Sequence, residues 1–193
     1  MARSADGQGT VERLYKATNR GTVPRSWSPD GSKLAIDDGG VKVLHIGTTR
    51  VDTVSDRKGM AAFSPDGRWI AYTSNQTGRQ EVYVKPYPSL ASTHQVSVNG
   101  GTYPMWSARS GELFFIAGDA MMVSAVSTRT GFDWTTPRLL FSSPDLGALE
   151  SPISVSADGK RFLLPTRNQD SAPREIHVVL NWFDELRRKA KPQ

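Results

Sequence analysis

One short corner recurs along this chain and restricts its fold more than any other feature. It reads Ser28-Pro29-Asp30-Gly31, then Ser64-Pro65-Asp66-Gly67, then the variant Ser107-Ala108-Arg109-Ser110-Gly111, then Ser156-Ala157-Asp158-Gly159. Its glycines Gly31, Gly67, Gly111 and Gly159 are 36, 44 and 48 residues apart, near the roughly 40–50 residues of a four-stranded propeller blade. Proline at the second turn position presets φ, aspartate supports the turn through its side chain, and glycine accepts positive φ. An apolar residue precedes each corner (Trp27, Phe63, Trp106, Val155), and a strand-like run follows at 33–36, 69–72, 112–115 and 161–164. Each corner is therefore expected to join two antiparallel strands.

Third strands are expected at 41–46, 80–86, 120–127 and 176–181, and fourth strands at 50–54, 94–98 and 138–141. The second of the third strands is the cleanest. Val82, Val84 and Pro86 alternate there with Tyr83, Lys85 and Tyr87, a period of two. No 3.6-residue period occurs before residue 181, which excludes helical repeats of similar length. The pattern predicts an all-β fold: a β-propeller of about four blades of four-stranded antiparallel sheet, alone or as part of a larger ring, with a short C-terminal helix.

The expected organisation is a flexible segment at 1–9, propeller repeats at 10–181, and a helix with a basic tail at 182–193. Asn181 is placed to cap a helix whose apolar face is Trp182, Phe183 and Leu186. The fourth repeat lacks an outer strand, while 11–17 reads as a strand without a blade. Either that strand completes the last blade and closes a four-bladed ring, or it ends a missing preceding blade. The second reading is preferred, since rings of such repeats usually need more than four blades. An open array leaves edge strands and a blade face uncovered, which a homodimer of incomplete rings would cover.

Composition removes several function classes. The 193 residues contain no cysteine, which excludes disulfides, thiolate catalysis and cysteine–zinc sites. The net charge of +5 is concentrated in the tail, where Arg187, Arg188, Lys189 and Lys191 oppose Asp184 and Glu185. Cations there suit a helix C-terminus, and no basic stripe tracks a nucleic-acid backbone. No run approaches the roughly eighteen apolar residues of a membrane span. Residues 1–10 lack the apolar core of a signal peptide, so no export signal of the chain's own is expected.

Motifs for catalysis are missing from the sequence. It has no kinase Gly-rich loop, His-Arg-Asp or Asp-Phe-Gly, no Gly-x-Ser-x-Gly elbow, and no P-loop. His45, His94 and His177 fall on expected strands of different repeats, without metal-ligand spacing. Asp37-Asp38-Gly39-Gly40 is too short for a calcium loop and reads as a hairpin turn. Asp30, Asp66 and Asp158 are accounted for by the corner itself. Trp27, Phe63, Trp69, Tyr72, Tyr83, Tyr103, Trp106, Phe114 and Phe115 are expected mostly to pack between blades, with stacking of Tyr103 or Trp106 on a ligand near the central opening as the alternative for those two. No catalytic residue, cofactor or metal ligand is assigned.

The stretches Trp27-Ser28-Pro29-Asp30-Gly31-Ser32-Lys33-Leu34-Ala35 and Phe63-Ser64-Pro65-Asp66-Gly67-Arg68-Trp69-Ile70-Ala71-Tyr72 resemble the WD-like propeller repeat of TolB-type proteins. Asn99-Gly100-Gly101-Thr102-Tyr103-Pro104-Met105-Trp106, Glu112-Leu113-Phe114-Phe115 and Val178-Val179-Leu180-Asn181-Trp182-Phe183-Asp184-Glu185-Leu186 are similar to the carboxy-terminal propellers of bacterial serine/threonine protein kinases. The third corner departs from the motif, with Ala108-Arg109-Ser110 in place of Pro-Asp. The resemblance implies a non-catalytic module for protein interaction or ligand sensing, with a protein, peptide or small ligand on the central face. It leaves the compartment open: cytoplasmic as written, extracytoplasmic for the sensor end of a membrane kinase. The alternatives are a propeller hydrolase or lyase with carboxylates in the central channel, or an inactive fragment of a larger kinase.

Overall fold

Three hydrogen bonds explain why the first, second and fourth corners fold as they do. In the first, Gly31 N–H donates to Ser28 O at 2.9 Å and Ser28 N–H to Lys33 O at 2.9 Å, while Lys33 N–H donates to Ser28 Oγ at 2.9 Å. Ser64 and Ser156 repeat this arrangement, with Gly67 and Gly159 closing the turns. Gly31, Gly67, Gly111 and Gly159 all have φ between 65° and 73°, which a side chain would strain. In this computed structural model the described residues are 13–18, 21–109, 111–147, 153–165 and, for the backbone alone, 176–179.

The corners join the first and second strands of four antiparallel sheets. Blade 1 comprises β1 (Val23–Trp27), β2 (Lys33–Asp37), β3 (Val41–His45) and β4 (Val51–Ser55), in that spatial order. Blade 2 follows with β5 (Ala61–Phe63), β6 (Trp69–Ser74), β7 (Glu81–Pro86) and β8 (His94–Gln95). Blade 3 has β9 (Thr102–Trp106), β10 (Glu112–Ala117), β11 (Ala120–Ser127) and β12 (Asp133–Trp134), with β13 (Arg138–Ser142) also paired to β11. A single turn of helix, α1 (Pro144–Gly147), leads on to blade 4. There β14 (Ser154–Val155), β15 (Phe162–Pro165) and β16 (Ile176–Val179) form three strands.

Apart from the strand expected at 11–17, the expected strands are present where the residues are described, with ends shifted by a few positions. The sequence reading missed β12. It pairs with the carboxy-terminal half of β11 while β13 takes the other half. Residues 13–17 form no strand. Instead Tyr15 packs beside Leu34, Ile36 and Leu44 on the outward face of blade 1, and its hydroxyl donates to Asp38 Oδ2 at 2.8 Å. A buried carboxylate with several donors competes successfully with strand pairing here: Asp38 also accepts from Thr18, Thr22 and Lys42. The helix expected at 182–188 lies outside the described residues.

Period-two alternation assigns each strand's residues to two different interfaces. Ala35, Val41, Val43 and Val54 of blade 1 pack against Ile70, Tyr72 and Tyr83 of blade 2. The next residue, Ala71, faces the other way with Val82 and Val84, toward Leu113 and Phe115 of blade 3. Phe114 and Ile116 in turn point to Phe162 and Leu164 of blade 4. None of these apolar clusters, among the described residues, joins blade 4 to blade 1. The inner strands β1, β5, β9 and β14 stand side by side in chain order.

Candidate functional site

The inner strands and corners of the blades enclose a cavity of about 760 Å3. Three corner residues at the equivalent second position, Pro29, Pro65 and Ala108, contribute to its wall. The whole of β1, Met60 with β5, and Tyr103 to Trp106 of β9 supply most of the remainder, and Ile153 adds a contact before β14. Its volume is within the roughly 300–1,000 Å3 range of small-ligand sites. Among the described residues the lining is largely apolar, rich in proline, alanine and aromatic side chains, with one charged residue, Arg25.

Two β-bulges shape the wall. In β1, Pro24 pairs with Ile36 and Ser26 with Ala35, so Arg25 is an extra residue without a partner across the ladder. In β9, Tyr103 and Pro104 together oppose Phe115, between the Thr102–Ile116 and Met105–Phe114 pairs. Bulges bend a strand and re-aim its side chains. Tyr103 also has φ of 51°, the left-handed region that non-glycine residues occupy at a cost of about 1–3 kcal/mol.

Tyr103 and Trp106, the two residues selected from sequence, both line this cavity. Trp106 also has a structural task. Its indole N–H donates to Ala62 O at 3.0 Å, tying blade 3 to blade 2, and its ring meets the edge of Phe132 at 6.2 Å. Trp27 corrects the sequence reading. It is 51% exposed and faces the cavity rather than packing between blades. Its neighbour Ser26 makes the inter-blade contact instead, with Ser26 Oγ accepting from Phe63 N–H at 3.1 Å.

Sequence reasoning did not select Arg25. Its only prior signal was a cation inside a short apolar strand, and the bulge that redirects it depends on cross-strand register. Arg25 Nη2 is 3.5 Å from Asp37 Oδ2, a long, single contact. Arg25 Nε and Asp37 Oδ1 are both buried and have no hydrogen-bond partner among the described residues. A guanidinium carries five N–H donors in a fixed fork, so this one retains unused capacity.

The corner aspartates are occupied elsewhere. Ser28, Ser64 and Ser156 hydroxyls donate to Asp30, Asp66 and Asp158 at 2.5, 2.6 and 2.5 Å. The backbone N–H two residues beyond each aspartate donates to the same carboxylate. The serine bond first, then the backbone bond, holds Asp30 well below the usual carboxylate range and lowers Asp158 in the same way. Burial pushes Asp66 up, but bonds from Ser64, Arg68 and Thr128 outweigh it and lower it too. Groups held ionised in this way accept hydrogen bonds and do not deliver protons near neutrality. At the third corner, where Asp is absent, Ser107 Oγ is 3.4 Å from Ala157 O of the next corner.

The two histidines with described side chains do not meet. His45 Nε2 is 2.7 Å from Asp52 Oδ2 and 3.0 Å from the Tyr87 hydroxyl, at the seam of blades 1 and 2. His94 packs among Trp69, Phe132 and Trp134, with centroids 5.4–6.1 Å away. The side chain of His177 lies outside the described residues. Among the described residues no three His, Asp or Glu side chains converge as a metal set. No helix among them is long and apolar enough to cross a membrane.

No family model matches the chain, and no curated protein matches it. Solved structures do. A TolB from Acinetobacter baumannii aligns at TM-score 0.60 and 18% identity, over 78% of this chain and 38% of its own. A TolB-designated protein from Agrobacterium tumefaciens gives 0.55 and 18%, over 70% and 54%. An oligogalacturonate lyase in complex with manganese gives 0.51 and 12%, over 79% and 41%. The chain thus spans between about a third and a little over half the length of the structures it resembles. At such identities the likeness speaks for architecture, and the architecture is that of a β-propeller.

Proposed function

We propose that this chain is a non-catalytic recognition module that binds a protein segment or small ligand in the cavity walled by its inner strands. The observation that carries this reading is the lining itself. Loops and inner strands from separate blades converge on one concave, largely apolar surface of suitable volume. A carboxylate mechanism would instead need two acidic groups facing the same space. Among the described residues Arg25 is the one charged lining residue, and the corner aspartates are hydrogen-bonded within their own turns.

We test this with a peptide library displayed on phage and selected against the purified chain. Ala62→Trp fills the cavity from β5 without adding charge. Selected sequences are expected to lose about tenfold or more in affinity on that variant, with the circular dichroism of the fold unchanged. Equal binding to both proteins would move the site elsewhere and refute the reading.

The finer assignment is that the module is the sensor or scaffold end of a bacterial serine/threonine kinase. It rests on the sequences at 99–106 and 178–186. An antibody raised against this chain is then expected to detect a native product much larger than 21.2 kDa that carries kinase activity. A native product of that small mass would overturn the assignment.

A further inference from the structure

Arg25 gives the cavity a chemical preference. Among the described residues it is the one charged side chain in the wall, placed there by the bulge in β1. Asp37 holds it by a single 3.5 Å contact to Nη2, while the buried Nε has no partner among the described residues. A carboxylate matches the guanidinium fork with two parallel hydrogen bonds, which a neutral group cannot do. Around it the wall is apolar: Trp27, Met60, Tyr103 and Met105. A cationic ligand would meet Arg25 with no acidic lining residue, among the described residues, to oppose it. A phosphate would exchange its strong hydration for one cation among apolar groups.

Resting on the cavity as the recognition site, we propose that its ligand is an apolar group bearing a carboxylate, with Arg25 as counter-charge and Trp27 and Tyr103 as flanking walls. The same chemistry is offered by a small organic acid and by the carboxy terminus of a peptide ending in an apolar residue. Trp27, half-exposed in the absence of ligand, is the surface such a group would cover. Tyr103, fixed by its bulge and left-handed backbone, provides a wall that needs little reordering on binding.

The test titrates the unaltered chain with N-acetylphenylalanine and with its uncharged amide, followed by isothermal calorimetry and by the indole N–H signals in NMR. The acid is expected to bind about tenfold or more tightly than the amide, to perturb the Trp27 signal, and to lose its advantage as salt rises. Arg25→Gln is expected to abolish the preference for the acid. Should that variant not fold, the acid–amide comparison on the unaltered chain still decides. A tripeptide ending in phenylalanine, as free acid and as amide, separates the sources. Tighter binding of the peptide acid identifies a chain terminus, and exclusive binding of the smaller acid identifies a metabolite-like ligand. Equal binding of acid and amide at Trp27 overturns the role of Arg25 and leaves the cavity reading standing. Binding of neither, or perturbation confined to residues outside the cavity, overturns both.

Discussion

Tyr87 sits where blades 1 and 2 meet, and replacing it with phenylalanine isolates one hydroxyl in that seam. The hydroxyl donates to Asp52 Oδ2 at 2.7 Å and is 3.0 Å from His45 Nε2. The ring is buried and meets Phe63 edge-on, with centroids 5.4 Å apart. Phenylalanine preserves the ring contact and removes the bond to the carboxylate, a class worth about 1.5–3 kcal/mol. Asp52 retains Arg50 at 3.0 Å and His45 at 2.7 Å, so the loss should fall at the lower end, about 1.5 kcal/mol. For a chain of this length that lowers Tm by about 3–6 °C.

The loss should also depend on pH. Burial pushes the Asp52 carboxyl up, but bonds from His45, Tyr87 and Arg50 outweigh it and bring the group to about 2, from 3.8. A carboxyl depressed by folding contributes stability above its unfolded value and loses it as pH falls through the folded one. The gap between wild type and Tyr87→Phe should therefore be steady near neutrality and narrow as pH falls from about 4 to about 2. Burial first, then the bond to Asp52 and its charge, raises Tyr87 well above the ordinary tyrosine range. That contribution is present below the unfolded value of 10.0 and fades as pH rises past it. Urea unfolding across this range is the assay. A loss below about 0.5 kcal/mol at neutral pH, within the spread of ordinary surface substitutions, would refute the seam argument. So would a gap that stays constant into acid.

Three further substitutions test other parts of the fold. Asp66→Ala removes an acceptor for Ser64, Arg68 and Thr128 of blade 3, so its stability loss, about 1–3 kcal/mol, should exceed that of Asp30→Ala, whose bonds stay within its own corner; equal losses in thermal melts would remove any role for the Thr128 contact. Gly101→Ala would set a Cβ 2.5 Å from Ser97 Oγ and 2.9 Å from Val82 Cγ2, and overpacking of this kind typically destabilises by about 1–3 kcal/mol; an unchanged Tm would contradict the packing there. Phe162→Ala removes a ring lying 5.1 Å from Phe114 and 5.6 Å from Phe141 and should cost about 3–5 kcal/mol. Hydrogen exchange should then accelerate in β14 and β15 before it does in β2 and β3, and a uniform acceleration would argue against separable seams.

Much of the architecture is legible in the sequence because the corner is a local device. Ser-Pro-Asp-Gly needs only its own side chains and backbone to form, so Lys33–Asp37, Trp69–Ser74 and Phe162–Pro165 could be placed from it. The binding surface is less legible because it depends on cross-strand register. Nothing within Val23–Trp27 marks Arg25 as a bulge until Pro24 and Ser26 are aligned with Ile36 and Ala35. Trp27 has the same flanking position as Phe63, yet one is half-exposed and the other buried. The difference lies in tertiary neighbours, since Phe63 has Tyr87 across the seam. Glu81 is a further case. It looks like a solvated strand residue, but it is 1% exposed and accepts from Arg79, Ser97 and the Gly100 N–H. Ser97 and Gly100 reach it from a segment 16 and 19 residues later.

The two-sided burial of the middle strands has a consequence for strand alignment. When one sheet face is wet, slipping a strand by one residue exposes its apolar set, and that penalty selects the correct pairing. Here Phe114 and Phe115 are both buried, one in each seam. A slipped β10 would still present an aromatic ring to either side, so hydrophobicity alone is a weak guide to alignment. The selecting element must be short-range and geometric. Serine and glycine in each corner, with aspartate in the first, second and fourth, close a turn in which the serine N–H reaches the carbonyl of the residue that opens the next strand or directly precedes it. The first pair beyond it, such as Trp27 with Leu34, follows from that closure. The corners thus act as alignment keys for strands that are greasy on both sides. Inserting one residue inside a corner should scramble a blade more severely than removing a large side chain from its core.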